Sequence, residues 1–190
     1  MDSTSSLCRS RRPAWIGLSL LLLLGAGLPQ DDAAADQGCL KMVFNRYCLG
    51  GDIERLAQQL PGVRYEDGER TALLYFEGGE QDYVLAWRGR IYKVLRQYRI
   101  SSQLRYEELY GLLRDKYGSG KDQSRFPAYA NRPGSRQIAI RRGEGRAAHV
   151  WRTDGGWHIE LSWTRELGLS LAYLADELER EQEAARQGGL

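Results

Sequence analysis

The sequence predicts an α+β fold with helices packed on one face of an antiparallel sheet. Two segments carry apolar residues at helical spacing, and each is followed by segments with a period of two, which is typical of strands. Short glycine-containing turns separate these strands, so neighbouring strands should run antiparallel. In order, the elements are helix, three strands, helix, three strands and a final helix. We therefore expect two tandem αβββ units and a C-terminal helix.

The first helix is predicted around residues 53–60. Ile53, Leu56, Ala57 and Leu60 fall at i, i+3, i+4 and i+7, which places them on one apolar face. Asp52 precedes this face and is a suitable N-cap. A Pro-Gly pair at 61–62 ends the pattern. From residue 70 the period changes to two, and residues 71–76, 82–87 and 90–100 are predicted to form an antiparallel meander.

The second helix has the clearest periodicity in the chain. Its apolar face contains Tyr106, Leu109, Tyr110, Leu113 and Tyr117. Gly118 follows at the position of a left-handed C-cap. Residues 119–136 are polar and contain Gly, Pro, Ser and Arg, so a long surface loop is predicted there.

The second group of strands is predicted to begin at residues 138–140, Ile-Ala-Ile. Asp154-Gly155 is a hairpin turn between strands at 147–153 and 157–163. Alternation in the second arm predicts that Trp157, Ile159, Leu161 and Trp163 lie in the core, and that His158, Glu160 and Ser162 are exposed. Residues 169–174 form the last strand. From Asp176 the chain is rich in Glu, Arg and Ala, which indicates an exposed terminal helix ending near Gly188-Gly189.

Three short segments resemble a loose group of exported bacterial proteins with tandem α/β repeats. They are Leu-Gly-Gly-Asp-Ile at 49–53, Trp-Arg-Gly-Arg-Ile-Tyr-Lys-Val at 87–94, and Leu-Arg-Asp-Lys-Tyr-Gly at 113–118. Proteins of this group are similar in fold to β-lactamase inhibitory protein and to the small lipoprotein of the outer-membrane barrel-assembly machine. The resemblance implies binding to other proteins rather than catalysis. It transfers no functional residue, because the matched positions are turns and caps.

The domain organisation follows from the N-terminal pattern. Arg9, Arg11 and Arg12 precede an apolar run at 15–28, and an Ala-Ala-Ala stretch follows at 33–35, which is the order found in a signal peptide. We predict a signal peptide at 1–35 and one α+β domain at 36–190, with repeat one at about 50–100, repeat two at about 101–176 and a terminal helix at about 177–187. The alternative is an uncleaved anchor, although the run is shorter than the ~20 residues of a spanning helix. The expected location is the periplasm or the exterior.

The cysteines predict a disulfide. Cys8 leaves with the signal peptide, so Cys39 and Cys48 form an even pair in an oxidising compartment. The bridge is expected to fasten the N-terminal arm to the first helix. The alternative is a metal site formed by both cysteines with His149 and His158, but neither pair has the spacing of a zinc knuckle. No metal and no cofactor are therefore expected.

The motifs do not favour an enzyme. There is no Gly-x-Ser-x-Gly, no histidine beside a candidate nucleophile and no phosphate loop after a strand. His158 is interpreted as an ordinary surface residue. The alternative function is an enzyme acting on envelope polymers, with an acid–base residue such as His158 or Glu160 on the second hairpin.

The charge distribution is the feature most informative about function. Residues 36–84 carry 5 basic and 9 acidic side chains, residues 85–152 carry 16 and 5, and residues 153–190 carry 3 and 8. The basic middle segment indicates an anionic or acidic partner: an envelope protein, an anionic envelope polymer or a lipid. Nucleic acid is not expected outside the cytoplasm. The alternative is that the acidic flanks fold against the segment and cancel its charge.

The residues predicted to form this basic patch are Arg125, Arg132, Arg141 and Arg142 of the loop region and Arg88, Arg90 and Arg96 of the preceding strand. Alternation with a period of two places these three strand arginines on one face of the sheet. Phe126, Tyr129 and the nearby prolines would supply apolar contacts between the charges. The sequence thus predicts a non-catalytic periplasmic interaction module.

Overall fold

A computed structural model describes residues 38–188, and the predicted signal peptide lies outside this part of the chain. It contains four helices, a two-stranded sheet and an eight-stranded sheet. The helices are α1 (Ile53–Gln59), α2 (Gln103–Tyr117), α3 (Pro133–Arg142) and α4 (Asp176–Gly188). The strands are β1 (Lys41–Val43), β2 (Tyr47–Leu49), β3 (Val63–Asp67), β4 (Arg70–Glu77), β5 (Glu80–Trp87), β6 (Arg90–Gln97), β7 (Lys121–Asp122), β8 (Ala147–Arg152), β9 (Trp157–Thr164) and β10 (Gly168–Ala175). The α+β prediction is confirmed. No helix within 38–188 is long and apolar enough to cross a membrane.

The large sheet joins two antiparallel meanders. Its strand order is β3-β4-β5-β6-β10-β9-β8-β7, and every neighbouring pair is antiparallel. The two meanders meet where β6 pairs with β10, from Gln97 opposite Ser170 to Lys93 opposite Leu174. We call this junction the central seam. The predicted strands at 71–76, 82–87 and 169–174 and the hairpin turn at 154–155 are confirmed.

One face of the sheet, which we call the helix face, carries the main core. Leu73, Val84, Val94 and Ile159 project from β4, β5, β6 and β9 on this face, and all four are buried. The apolar stripe of α2 and the apolar residues of α1 pack in the same cluster. The Asp52 cap is confirmed, because its carboxylate accepts a hydrogen bond from the backbone N–H of Arg55 at 2.8 Å.

The opposite face, which we call the open face, is partly covered by α4. Alternation correctly groups Trp157, Ile159 and Leu161 in the core. The expectation that His158 and Ser162 are exposed is wrong, since both are buried. His158 lies under α4, and Ser162 hydrogen-bonds Ser170 across the sheet at 3.0 Å.

Two segments differ from the predicted elements. Residues 138–140, expected to be a strand, belong to α3, where Ala139 and Ile140 are buried and Ile138 is exposed. A three-residue apolar run fits a strand or one turn of a buried helix equally well, so it does not distinguish them. The predicted loop at 119–136 contains β7 and the first turn of α3.

The Cys39–Cys48 disulfide is confirmed, with the Cα atoms 5.3 Å apart. It does not reach α1, however. Cys39 precedes β1 and Cys48 lies in β2, so the bridge closes a small hairpin that is not among the predicted elements. This hairpin packs on the helix face through Val43, Tyr47 and Leu49, all of them buried.

Candidate functional site

The basic segment is organised by α3. Arg125 and Arg146 form an antiparallel bridge through two backbone hydrogen bonds of 2.8 and 2.9 Å, so the two ends of the segment are held together. Between them, α3 begins with Pro133 at a position where its missing N–H costs no helical hydrogen bond. The backbone N–H of Arg132 donates to Ser135 Oγ at 3.1 Å. Because α3 buries Ala139 and Ile140 in the protein, its other side faces solvent.

Five arginines of this segment share two properties, and we call them the basic α3 surface. All five are exposed, and none forms an ion pair with a carboxylate of residues 38–188. They are Arg125, Arg132, Arg136, Arg141 and Arg142. Arg141 and Arg142 lie in the last turn of α3, where a positive charge also interacts favourably with the helix dipole.

Other arginines of the basic middle segment are neutralised locally. Their closest N···O distances to acidic partners are 2.9 Å for Arg88–Glu69, 2.7 Å for Arg96–Asp82, 3.9 Å for Arg146–Glu160 and 3.7 Å for Arg152–Asp176. The acidic helix α4 therefore takes part in only the last of these pairs. No ion pair between described residues joins α4 to the basic α3 surface.

The structure does not bring Arg88, Arg90 and Arg96 together with the loop arginines. Arg88 lies in the β5–β6 turn beside Glu69, and Arg90 Nε donates to the carbonyl of Gly50 at 2.6 Å. Arg96 lies on the helix face against Asp82. Two strands, β10 and β9, separate β6 from β8, which at about 4.8 Å per strand places β6 some 14 Å from β8.

A β-bulge explains why Arg90 and Arg96 do not share a face. The β5–β6 register shifts between Leu85 and Ala86, so that β6 contains one extra residue. Ile91 and Val94 are both in the core although they are three positions apart, which strict alternation forbids. The predicted alternation from Arg90 to Arg96 is therefore wrong by one residue.

Aromatic side chains accompany the basic α3 surface. The guanidinium of Arg136 lies 5.2 Å from the centre of the Phe126 ring, and Phe126 packs against the core. Tyr129 is 49% exposed, and its hydroxyl donates to the Glu144 carboxylate. That hydrogen bond raises the pKa of Tyr129. The surface thus combines positive charge with an exposed aromatic ring, a mixture found in recognition surfaces.

A shallow cavity of about 330 Å³ adjoins this surface. Its lining includes Arg125 and Arg146 together with Glu144 and Glu166. Because both signs of charge are present, the cavity itself does not select an anion. Arg132, Arg136, Arg141 and Arg142 do not line this cavity.

Arg136 belongs to the site, although it is not among the residues predicted to form the basic patch. Arg132 is the N-cap of α3 and Arg136 lies in its first turn, where the backbone N–H of Arg136 donates to the Arg132 carbonyl at 2.9 Å. The sequence signals for this helix are Pro133 at its first position and Gly143 at its C-cap. Gly143 has φ 76° and adopts the left-handed conformation expected there.

The alternative metal site is not assembled. Cys39 and Cys48 are bonded to each other, and the two histidines lie on opposite faces of the sheet. His149 Nδ1 lies 2.7 Å from the Tyr106 hydroxyl, and its ring is 4.5 Å from that of Tyr110. Burial lowers the pKa of His149. Within residues 38–188 no group of three His, Cys, Asp or Glu side chains is arranged to hold a metal ion.

The candidate acid–base residues of the second hairpin are occupied by contacts within the protein. His158 is buried, with Nδ1 2.5 Å from Asp176 and Nε2 3.8 Å from Glu179. Both partners belong to α4, which covers the imidazole. Glu160 lies 3.9 Å from Arg146. A substrate would have to displace α4 to reach His158.

Comparison with known proteins adds little to this geometry. The sequence matches no protein family and no curated protein. A solved structure with some similarity is a cysteine-rich secretory protein from Staphylococcus aureus, at 12% identity and a TM-score of 0.34. The match covers 66% of this chain and 42% of the staphylococcal one, so the chain spans under half the length of that protein.

Proposed function

We propose that this protein is an exported, non-catalytic interaction module that binds an anionic partner of the cell envelope through the basic α3 surface. The observation that carries the proposal is the set of five exposed arginines, none of which forms an ion pair with a carboxylate of residues 38–188. A folded protein gains little from clustering like charges, since they repel one another. A ligand that neutralises them would remove this repulsion.

The distribution of acidic residues supports the same proposal. The acidic α4 contacts β6 and β10 on the open face, whereas α3 contacts β9 and contributes Ile140 to the core of the helix face. The acidic helix α4 therefore forms no ion pair with these five arginines. Export is supported by the N-terminal pattern and by the Cys39–Cys48 disulfide, because such bonds persist in oxidising compartments.

The test is retention on lipopolysaccharide or on vesicles containing anionic lipid, as a function of salt. A variant with Ser at Arg125, Arg132, Arg141 and Arg142 should lose retention while its melting temperature changes little, because these side chains make no ion pair that folding needs. Retention of the unmodified protein should fall steeply as salt rises, since exposed charges are screened over about 8–10 Å at physiological ionic strength.

The matched control removes four positive charges elsewhere. Ser at Arg99, Arg114, Lys116 and Arg180 changes the net charge by the same amount, and all four positions are exposed. This control should still bind. Equal loss in both variants would show that only net charge matters, and retention that is indifferent to salt would assign the partner to another surface.

A further inference from the structure

The β3 strand forms an unprotected edge of the large sheet. It pairs with β4 on one side, and on its other side no strand is present within residues 38–188. All five residues of β3 are exposed. Unpaired backbone N–H and C=O groups along such an edge are a template for a further strand. The opposite edge differs, because β7 has only two residues.

The side chains of β3 alternate between the two faces. The register with β4 places Val63 and Tyr65 on the open face, where they are 47% and 58% exposed. Arg64 and Glu66 lie on the helix face. There Arg64 binds Glu54 of α1 at 2.5 Å and Glu66 at 2.6 Å. The edge therefore has an apolar side and a charged side.

We propose that β3 pairs antiparallel with β3 of a second copy of this chain, with Tyr65 opposite Tyr65. A two-fold axis perpendicular to the sheet would then join two eight-stranded sheets into one, and the two contact surfaces would be identical. The two-fold axis also keeps the helix faces of both copies on the same side, so residues directly opposite must share a face.

The charges of β3 select this register. Centring the pair on Tyr65 places each Arg64 opposite the partner's Glu66, which gives two pairs of opposite charge. Centring it on Arg64 would place two arginines together, and centring it on Glu66 would place two carboxylates together. Like charges directly opposite each other destabilise a strand pair. Of these three registers, only the Tyr65-centred one joins opposite charges.

The apolar side of the edge favours the same register. Two Tyr65 rings would meet on the open face, with Leu74 and Ala72 of each copy on the adjoining strand. Aromatic pairs across neighbouring strands stabilise sheets beyond the area they bury. Tyr65 and Val63, both exposed in the single chain, would become largely covered.

The experiment is sedimentation equilibrium over a concentration series. The full chain is expressed in a bacterial host, and the protein is purified in the form that the host produces. The unmodified protein should approach a mass of two chains as its concentration rises. Tyr65→Lys should have a mass of one chain, because two ammonium groups would meet on the axis. The control Phe76→Lys changes another exposed aromatic residue of the open face, 62% exposed on β4, and should still dimerise.

A charge exchange tests the register itself. Glu66→Lys should dissociate the dimer by placing Lys opposite Arg64, and adding Arg64→Glu to it should restore the two-chain mass. Circular dichroism melts verify that each variant is folded. A one-chain mass for the unmodified protein up to its solubility limit would overturn the proposal. So would dissociation by Phe76→Lys with Tyr65→Lys unaffected, or failure of the exchanged pair to dimerise while folded.

Discussion

Removing the buried carboxylate of Asp82 should strongly destabilise the fold. Asp82 is 3% exposed, and it receives hydrogen bonds from Arg96 Nε at 2.7 Å, from Arg96 Nη2 at 2.8 Å and from the Tyr47 hydroxyl at 3.0 Å. Burial raises the pKa of Tyr47 to about 12, so its hydroxyl keeps the proton that it donates. These contacts attach the disulfide-closed hairpin to the sheet.

Asp82→Asn should lower the free energy of unfolding by about 3 kcal/mol. Removing one partner of a buried ion pair costs about 3–5 kcal/mol, because the other charge stays buried and unpaired. The lower end applies here, since the Arg96 side chain is 22% exposed and keeps Glu80 at 3.4 Å. Tyr47→Phe removes one hydrogen bond to a charged acceptor and should cost about 1.5 kcal/mol.

The assay is urea denaturation followed by tryptophan fluorescence, with Glu77→Gln as the control. The Arg46–Glu77 pair has a comparable length of 2.8 Å, but its side chains are 38% and 62% exposed, so its loss should cost no more than about 1 kcal/mol. Equal losses for Asp82→Asn and Glu77→Gln would refute the argument that burial decides the value of the ion pair. An unchanged slope against urea concentration would confirm that the variants unfold by the same transition.

Two further predictions concern the disulfide and His149. The double variant Cys39→Ser and Cys48→Ser should have a free energy of unfolding lower by about 2.5–3 kcal/mol, the chain-entropy value for a ten-residue loop. Thiol labelling of the native protein without reductant should detect no free thiol in this pair. Two free thiols would contradict the disulfide. Because burial lowers the pKa of His149 below the 6.5 of an unfolded histidine, the unfolded chain binds the proton more readily. Its contribution to stability is therefore fully present above the unfolded pKa and is lost as the pH falls from about 6.5 to the lower pKa of the folded state. The free energy of unfolding of His149→Gln should therefore change less between about pH 7.5 and 5.5 than that of the unmodified protein. An equal pH dependence in the two proteins would show that His149 does not cause the loss of stability.

Periodicity predicted the elements that bury a full apolar face. The stripe on α2 and the alternation from Trp157 to Trp163 each contain enough apolar positions to determine the period, and both elements are present as expected. By contrast, β3 exposes every residue and carries three charges among five, so no apolar pattern marks it. The three-residue strands β1 and β2 are too short to show a period.

The other predictions that were wrong depend on tertiary contacts, which local sequence patterns do not reveal. Alternation showed that His158 and Trp157 point in opposite directions, but it could not show that α4 covers the second face. The bulge in β6 changed the face of Arg96 through one inserted residue. Within the candidate site, the loop arginines were identified from composition alone, whereas their arrangement depends on α3.

The central seam has a consequence for the order in which the protein folds. From β3 to β6 and from β8 to β10, adjacent strands are joined by short turns, so their pairing closes short loops. At the seam, Gln97 pairs with Ser170, and these residues are 73 positions apart (170 − 97). The entropy lost on closing a loop grows with its length, so long-range strand pairs form slowly. The two meanders should form early, and zipping of β10 onto β6 should be the late step that sets the folding rate.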